Sequence, residues 1–375
     1  MEEIKHMSPD ELYMKTPEFK QLNDYNNYYI YLTMAANYGH CEAINCLNAD
    51  YEAHNDRKQD YSITFSFYDQ TKNFTYSSYY LAFMYENGYG VKKDYQKAIE
   101  LYMLAIEAGN VYAMDNLASM YINGCGIEKN YQKAVELYIL AAEKEYVVAM
   151  NSLAHMYFNG YGIKKNYQKA IELHTRAIEK GNSSSMNNLA MMYQIGKGVE
   201  QNYQKAIELY TLAIEKGDSS SMNNLAMMYH TGNGVERNYQ KAIELLTLAI
   251  EKGNLYSMNS LAVMYHDGNG VEQNYQKAIE LYTLAIEKGC VYALEDLTGL
   301  YRDHKSLFNK KDIIDFFLVK YPDSLKTIFG YDPDMILCLQ EIYTMREKIQ
   351  ELEKANKELT DHINLSPGDQ NILKL

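Results

Sequence analysis

Tyr203-Gln204-Lys205-Ala206-Ile207-Glu208-Leu209-Tyr210 is the stretch that decides the fold. Its opening, Tyr-Gln-Lys-Ala followed by Ile or Val, also begins at Tyr95, Tyr131, Tyr167, Tyr239 and Tyr275. Successive starts lie 36 residues apart (131 − 95, 167 − 131 and so on). A fixed period of this length marks a solenoid, in which each unit buries its apolar face only against its neighbours.

Working outward from that stretch gives the unit 183–218. Met186, Leu189, Ala190 and Tyr193 fall at i, i+3, i+4 and i+7, one face of a first helix. Gly196-x-Gly198 ends that helix, because glycine takes the left-handed cap without steric cost. Asn202 is the N-cap of a second helix whose apolar face is Ala206, Ile207, Tyr210, Ala213 and Ile214. Gly217 stops it and Asp218 caps the next first helix. Six such units are expected at 75–110, 111–146, 147–182, 183–218, 219–254 and 255–290.

The flanks are less regular. Ser8-Pro9-Asp10-Glu11 is a capping box and starts a helix. Thr16-Pro17-Glu18 reads as a second helix start, and Tyr28 to Ala36 as a helix. Leu47 and Tyr51 follow Gly39 at the offsets at which Leu117 and Tyr121 follow Gly109, so 25–52 is a worn copy of the repeat. Asp60-Tyr61 opens a degenerate second helix. Glu145-Tyr146 stands where glycine and cap belong, which predicts a bent or loosened junction. The last first helix covers 291–302, with His304 and Ser306 in place of the glycines.

The expected organisation is therefore a helical N-terminal region at 1–74, repeats at 75–302, a helical cap at 303–332, a coiled coil at 333–364 and a tail at 365–375. In the coiled coil Met335, Cys338, Ile342, Met345, Ile349, Leu352, Asn356, Leu359 and Ile363 alternate at spacings of three and four. Asn356 at an a position favours a parallel two-stranded register, so a homodimer through Ile342, Met345, Ile349, Leu352, Asn356 and Leu359 is expected. Folding of this helix back on the repeats, or pairing with a different protein, stays open.

Composition narrows the function. The 375 residues carry a net charge of −13 and no run of Lys and Arg, which argues against nucleic acid and anionic membranes as partners. With no Trp, the 38 Tyr and 20 Met become the bulky core fillers. Cys41, Cys46, Cys125, Cys290 and Cys338 share no repeat register and form no C-x-x-C pair, so neither disulfides nor zinc are expected. Met1-Glu2-Glu3-Ile4-Lys5 begins no signal sequence and no apolar run reaches the length of a membrane span. A cytoplasmic protein follows, for which the Asn-x-Ser/Thr matches at Asn73, Asn182 and Asn364 carry no glycan.

Leu-Ala-x-Met-Tyr-x-x-Gly-x-Gly-Val, Tyr-Gln-Lys-Ala and Ala-Ile-Glu-Lys-Gly together closely resemble the Sel-one-like repeat family, relatives of the tetratricopeptide repeat. The resemblance covers about 75–302. The wording rich in Asn, Lys, Ile and Tyr also resembles Sel-one-like proteins of giant DNA viruses. Leu209-Tyr210 stands where the family usually has Trp-Tyr, and the paired cysteines of its secreted branch are absent, so activities of that branch are not carried over. The resemblance implies a right-handed α-superhelix acting as a non-enzymatic adaptor or scaffold. An adaptor subunit of a ubiquitin-ligase-type complex, or a purely structural role, is the alternative.

Related tetratricopeptide units bind peptides through positions 2, 5, 9 and 12 of the first helix, which line a concave groove. Carried over, the groove consists of Tyr112, Asp115, Asn151, His155, Asn187, Met191, Asn223, Met227, His230, Asn259 and His266. A row of Asn can donate to and accept from a peptide backbone without reading its sequence. Such a row also arises simply because duplicated units carry it along. His230 and His266 are one repeat apart, too far to share a metal, and Gly-x-Gly here lacks the third glycine and preceding strand of a dinucleotide site. No cofactor, metal or catalytic group is expected.

Overall fold

The computed structural model describes residues 7–22, 24–38, 62–72 and 74–304, with residues 40, 43 and 46. The coiled coil with its residues Ile342, Met345, Ile349, Leu352, Asn356 and Leu359, the cap beyond His304, the tail, and Leu47 and Tyr51 lie outside the described residues. Among those described there are sixteen α-helices and no strand. The N-terminal three are α1 (Pro9–Gln21), α2 (Tyr25–Asn37) and α3 (Ser62–Gln70). First and second helices then alternate as α4 (Thr75–Asn87), α5 (Tyr95–Glu107), α6 (Val111–Asn123), α7 (Tyr131–Glu143), α8 (Val147–Asn159) and α9 (Tyr167–Glu179). They continue as α10 (Ser183–Ile195), α11 (Tyr203–Glu215), α12 (Ser219–Thr231), α13 (Tyr239–Glu251), α14 (Leu255–Asp267), α15 (Tyr275–Glu287) and α16 (Val291–Asp303). The chain divides into two compact units after Ser221.

Local chemistry sets each helix boundary. Asn130, Asn166, Asn202, Asn238 and Asn274 each accept from the backbone N–H three residues on, which caps the second helices. The backbone N–H of each of these asparagines donates to the tyrosine carbonyl late in its own first helix, for example Asn202 to Tyr193 at 2.9 Å. The first helices of the six repeats end on glycines in the left-handed region, as at Gly196 with φ 67°, whereas α16 ends on His304 with φ −133°. Ala118, Ala134, Ala141 and their copies at 36-residue spacing are fully buried, so the helix backbones approach closely.

Two local expectations change. Thr16-Pro17 does not start a new helix; α1 runs through it. Proline has no N–H to give the carbonyl four residues back, but Thr16 Oγ1 donates to that carbonyl, Tyr13 O, at 2.8 Å and satisfies it. At the irregular junction Glu145 itself takes the left-handed conformation, φ 63°, and α8 begins on the period. Arg176 and Lys180 hold its carboxylate at 2.7 and 2.9 Å, and their hydrogen bonds keep its pKa below the usual carboxylate value. Lys97, Lys133, Lys169, Lys205, Lys241 and Lys277 are exposed, and each places its ammonium 4.5–5.3 Å from the centre of a first-helix tyrosine ring. Each such exposed pair is worth roughly 0.5–1 kcal/mol.

Candidate functional site

The fifth-position asparagines are built into the contacts between repeats. Asn151 Oδ1 accepts from Ser185 Oγ and from Asn188 Nδ2, both at 3.0 Å. Asn187 Oδ1 accepts from Ser221 Oγ at 3.1 Å. In the second unit Asn223 Oδ1 accepts from Ser257 Oγ at 3.3 Å and Ser260 Oγ at 3.0 Å. Asn259 Nδ2 donates to Asp296 Oδ2 at 2.8 Å, while its Oδ1 is buried without a hydrogen-bond partner among the described residues. These side chains are half-buried, and their oxygens mostly serve the next repeat.

The other residues expected in the groove lie on the same first helices. In the first unit Tyr112 contacts the rings of Tyr79 and Tyr146 at 6.0 and 5.2 Å. Asp115 lies close enough to Tyr79 and Tyr138 to help burial raise both phenol pKa values. His155 is exposed, with its ring 6.1 Å from that of Tyr161, and Met191 is half-buried. In the second unit Met227 is half-buried, and His230 Nε2 lies 3.3 Å from Asn269 Nδ2. His266 packs beside Tyr275 at 5.8 Å and His304 at 6.4 Å.

A second network was not legible from spacing. Tyr102, at position 8 of α5, donates to Glu86 Oε2 of its own first helix at 2.6 Å and accepts from Asn116 Nδ2 of the next at 2.9 Å. Tyr210 likewise donates to Gln194 Oε1 at 2.7 Å. Tyr282 holds the same place, yet its hydroxyl has no partner among the described residues, and burial with Asp296 and Asp267 nearby raises its pKa. In the third repeat the place is taken by His174. The 36-residue alignment of tyrosines was the available signal; the partners at positions 12 and 6 emerge only on packing.

Position 10 of the second helices adds an apolar row. Leu104, Leu140, Leu212, Leu248 and Leu284 are each partly exposed there, and Arg176 interrupts the series. No group of three or more His, Cys, Asp or Glu among the described residues is placed to hold a metal ion. No described helix is long and apolar enough to cross a membrane.

Helix pairs of fixed length, glycine-closed first helices and asparagine-capped second helices recur in step, and the Sel1 repeat matches residues 75–110, 111–146, 147–182, 183–218, 219–254 and 255–290. The chain belongs to the Sel1 repeat family. Solved Sel1-type structures resemble it. A Sel1 repeat protein from Oxalobacter formigenes is 28% identical with a TM-score of 0.57, over 65% of this chain and 99% of that one. A protective antigen of uropathogenic Escherichia coli strains displaying an SLR fold is 26% identical with a TM-score of 0.52, over 84% of this chain and 70% of that one. No functionally curated protein matches the sequence. Sel1 folds commonly serve as protein-interaction scaffolds, so protein partners are the class of ligand this architecture suits.

Proposed function

We propose that this Sel1 repeat protein is a non-enzymatic scaffold that binds an extended peptide or a helix of a partner protein along the exposed face of its first helices. The observation that carries this is a division of labour along each first helix. Fifth-position asparagines lock adjacent repeats together, while second- and ninth-position side chains such as Ser184, Ser220 and His155 stand exposed beside them. A rigid floor with protruding contacts lets a partner bind without ordering the receptor first. The heptad seam at 333–364 would dimerise the scaffold and raise avidity through effective concentration.

The test is affinity capture followed by mass spectrometry on the intact chain. Substitution of the asparagines would break the ladder, so the exposed serines are the better targets. Ser184→Arg with Ser220→Arg is expected to lose the captured partner while the far-ultraviolet circular dichroism is unchanged. Leu212→Glu on the second-helix face is expected to keep it. Loss through Leu212→Glu alone would move the site to the leucine row, and recovery of nothing but the protein itself would end the scaffold reading.

A further inference from the structure

The first helices from Thr75 to Asp267 contain no Lys and no Arg, and the last first helix, α16, has a single cation, Arg302, near its C-terminal end, whereas every second helix carries a Lys. Within these helix pairs the cations therefore belong to the second helices, each of which also carries two Glu, and the first helices hold only apolar, neutral polar, aromatic and a few acidic groups. A basic group of a partner therefore meets no like charge on these first helices, and an exposed carboxylate there is a point of attraction for it.

In the second unit that face bears a specific constellation. Tyr256 on α14 and Tyr292 on α16 are 56% and 65% exposed, and their rings lie 6.1 Å apart at 50°. Two large tyrosines left this open at equivalent places on neighbouring helices are not core filler. One helical turn further along, Glu295 is exposed beside half-buried Asp296, which accepts from Asn259 of α14 at 2.8 Å. Glu295 makes no hydrogen bond or ion pair among the described residues. The ring contact and the Asn259–Asp296 bond both join α14 to α16, and Glu295 follows Tyr292 by three residues, the spacing that sets two side chains on one helix face.

We propose that Tyr256, Tyr292 and Glu295 form a docking site for an arginine side chain of the partner protein. A planar guanidinium stacks on a tyrosine ring while its N–H groups point outward in the ring plane toward the carboxylate. An ammonium is a compact, strongly hydrated charge that satisfies the carboxylate but does not stack, so lysine binds more weakly. The same chain supplies the neutral comparison: positions equivalent to Tyr256 and Tyr292 hold Ser184 and Ser220, and the position equivalent to Glu295 holds Asn187 and Asn223. Tyrosine is therefore dispensable for the fold at these places. This inference rests on the first-helix face being the partner surface, and it names the chemistry that this face reads.

The experiment is fluorescence anisotropy of the full chain with fluorescein-labelled decapeptides of alternating Gly and Arg, or of alternating Gly and Lys. The arginine peptide is expected to bind at least fivefold more weakly to Tyr256→Ser with Tyr292→Ser, a change that leaves net charge untouched. Glu295→Gln is expected to weaken it similarly, and the lysine peptide is expected to bind wild type several-fold more weakly than the arginine peptide. Equal binding to wild type and the serine variant would reduce the effect to general attraction by a net charge of −13 and overturn the site. So would equal binding of the two peptides, or no binding to wild type. Partner capture that depends on Ser184 and Ser220, combined with a negative peptide result, removes the arginine site and leaves the first-helix scaffold standing. The reverse pair of results keeps the arginine site on the first-helix face and removes Ser184 and Ser220 from the partner contact.

Discussion

Gly198 packs against Tyr167 of the preceding repeat so closely that a Cβ at Gly198 would overlap the tyrosine Cβ. Gly126 and Tyr95 repeat the relationship, as do Gly270 and Tyr239, and Gly162 lies against the Tyr131 backbone. At 126, 162, 198 and 270 the second glycine of Gly-x-Gly is thus a contact between repeats as well as part of a turn. The tyrosine it meets is the one that opens the Tyr-Gln-Lys-Ala stretch.

Two glycines separate the cost of this contact from the cost of conformation. Gly198 has φ 76° and no room, whereas Gly253 has φ 82° and nothing within 4 Å of an added Cβ. Gly253→Ala is expected to lose only the roughly 1–2 kcal/mol of left-handed strain. Gly198→Ala adds a collision with a neighbouring helix start and is expected to cost more, about 3 kcal/mol or above. Urea unfolding followed by circular dichroism measures both, and equal shifts of the two midpoints would remove the packing role.

The tyrosine network gives a second contrast. Tyr102→Phe leaves Glu86 and Asn116 without their shared hydroxyl and is expected to destabilise by about 1–3 kcal/mol. Tyr282→Phe deletes a buried hydroxyl that has no partner among the described residues and is expected to be neutral or mildly stabilising. Thermal melts of the two variants decide it. A larger loss at Tyr282 than at Tyr102 would show that the hydrogen bonds of Tyr102 contribute nothing net.

His174 makes stability depend on pH. It is 2% exposed, its Nδ1 has no hydrogen-bond partner among the described residues, and burial followed by the charge of His155 pushes its pKa down to about 4. The unfolded chain takes up this proton below the ordinary value of 6.5, while the folded chain resists until about pH 4. Stability from this residue is therefore intact above pH 6.5, falls between 6.5 and 4, and is level below. One fully displaced proton over that window is worth roughly 3 kcal/mol. His174→Tyr, which installs the residue found at 102, 138, 210 and 282, is expected to flatten the urea midpoint across the window. Parallel pH profiles for variant and wild type would exclude the effect.

What the sequence determined by itself was the periodic pattern and most of the local structure. The unit length, the helix boundaries, the asparagine caps and the glycine stops depend on φ preference and on hydrogen bonds spanning three or four residues, and those are written in adjacent letters. Spacing alone misread Thr16-Pro17, where a threonine hydroxyl replaces the missing proline donor. It missed equally that Glu145 could take a left-handed place held by Arg176 and Lys180. Of the proposed site, position counting names the first-helix residues, but it could not show that Asn151, Asn187 and Asn223 spend their oxygens on the next repeat, or that Tyr256 and Tyr292 meet in the open. Those relationships join residues some 34–37 positions apart, across the interface between units. A near-identical repeat keeps such residues whether or not they touch; only the stacking of one unit on the next decides which become structural and which remain exposed for a partner.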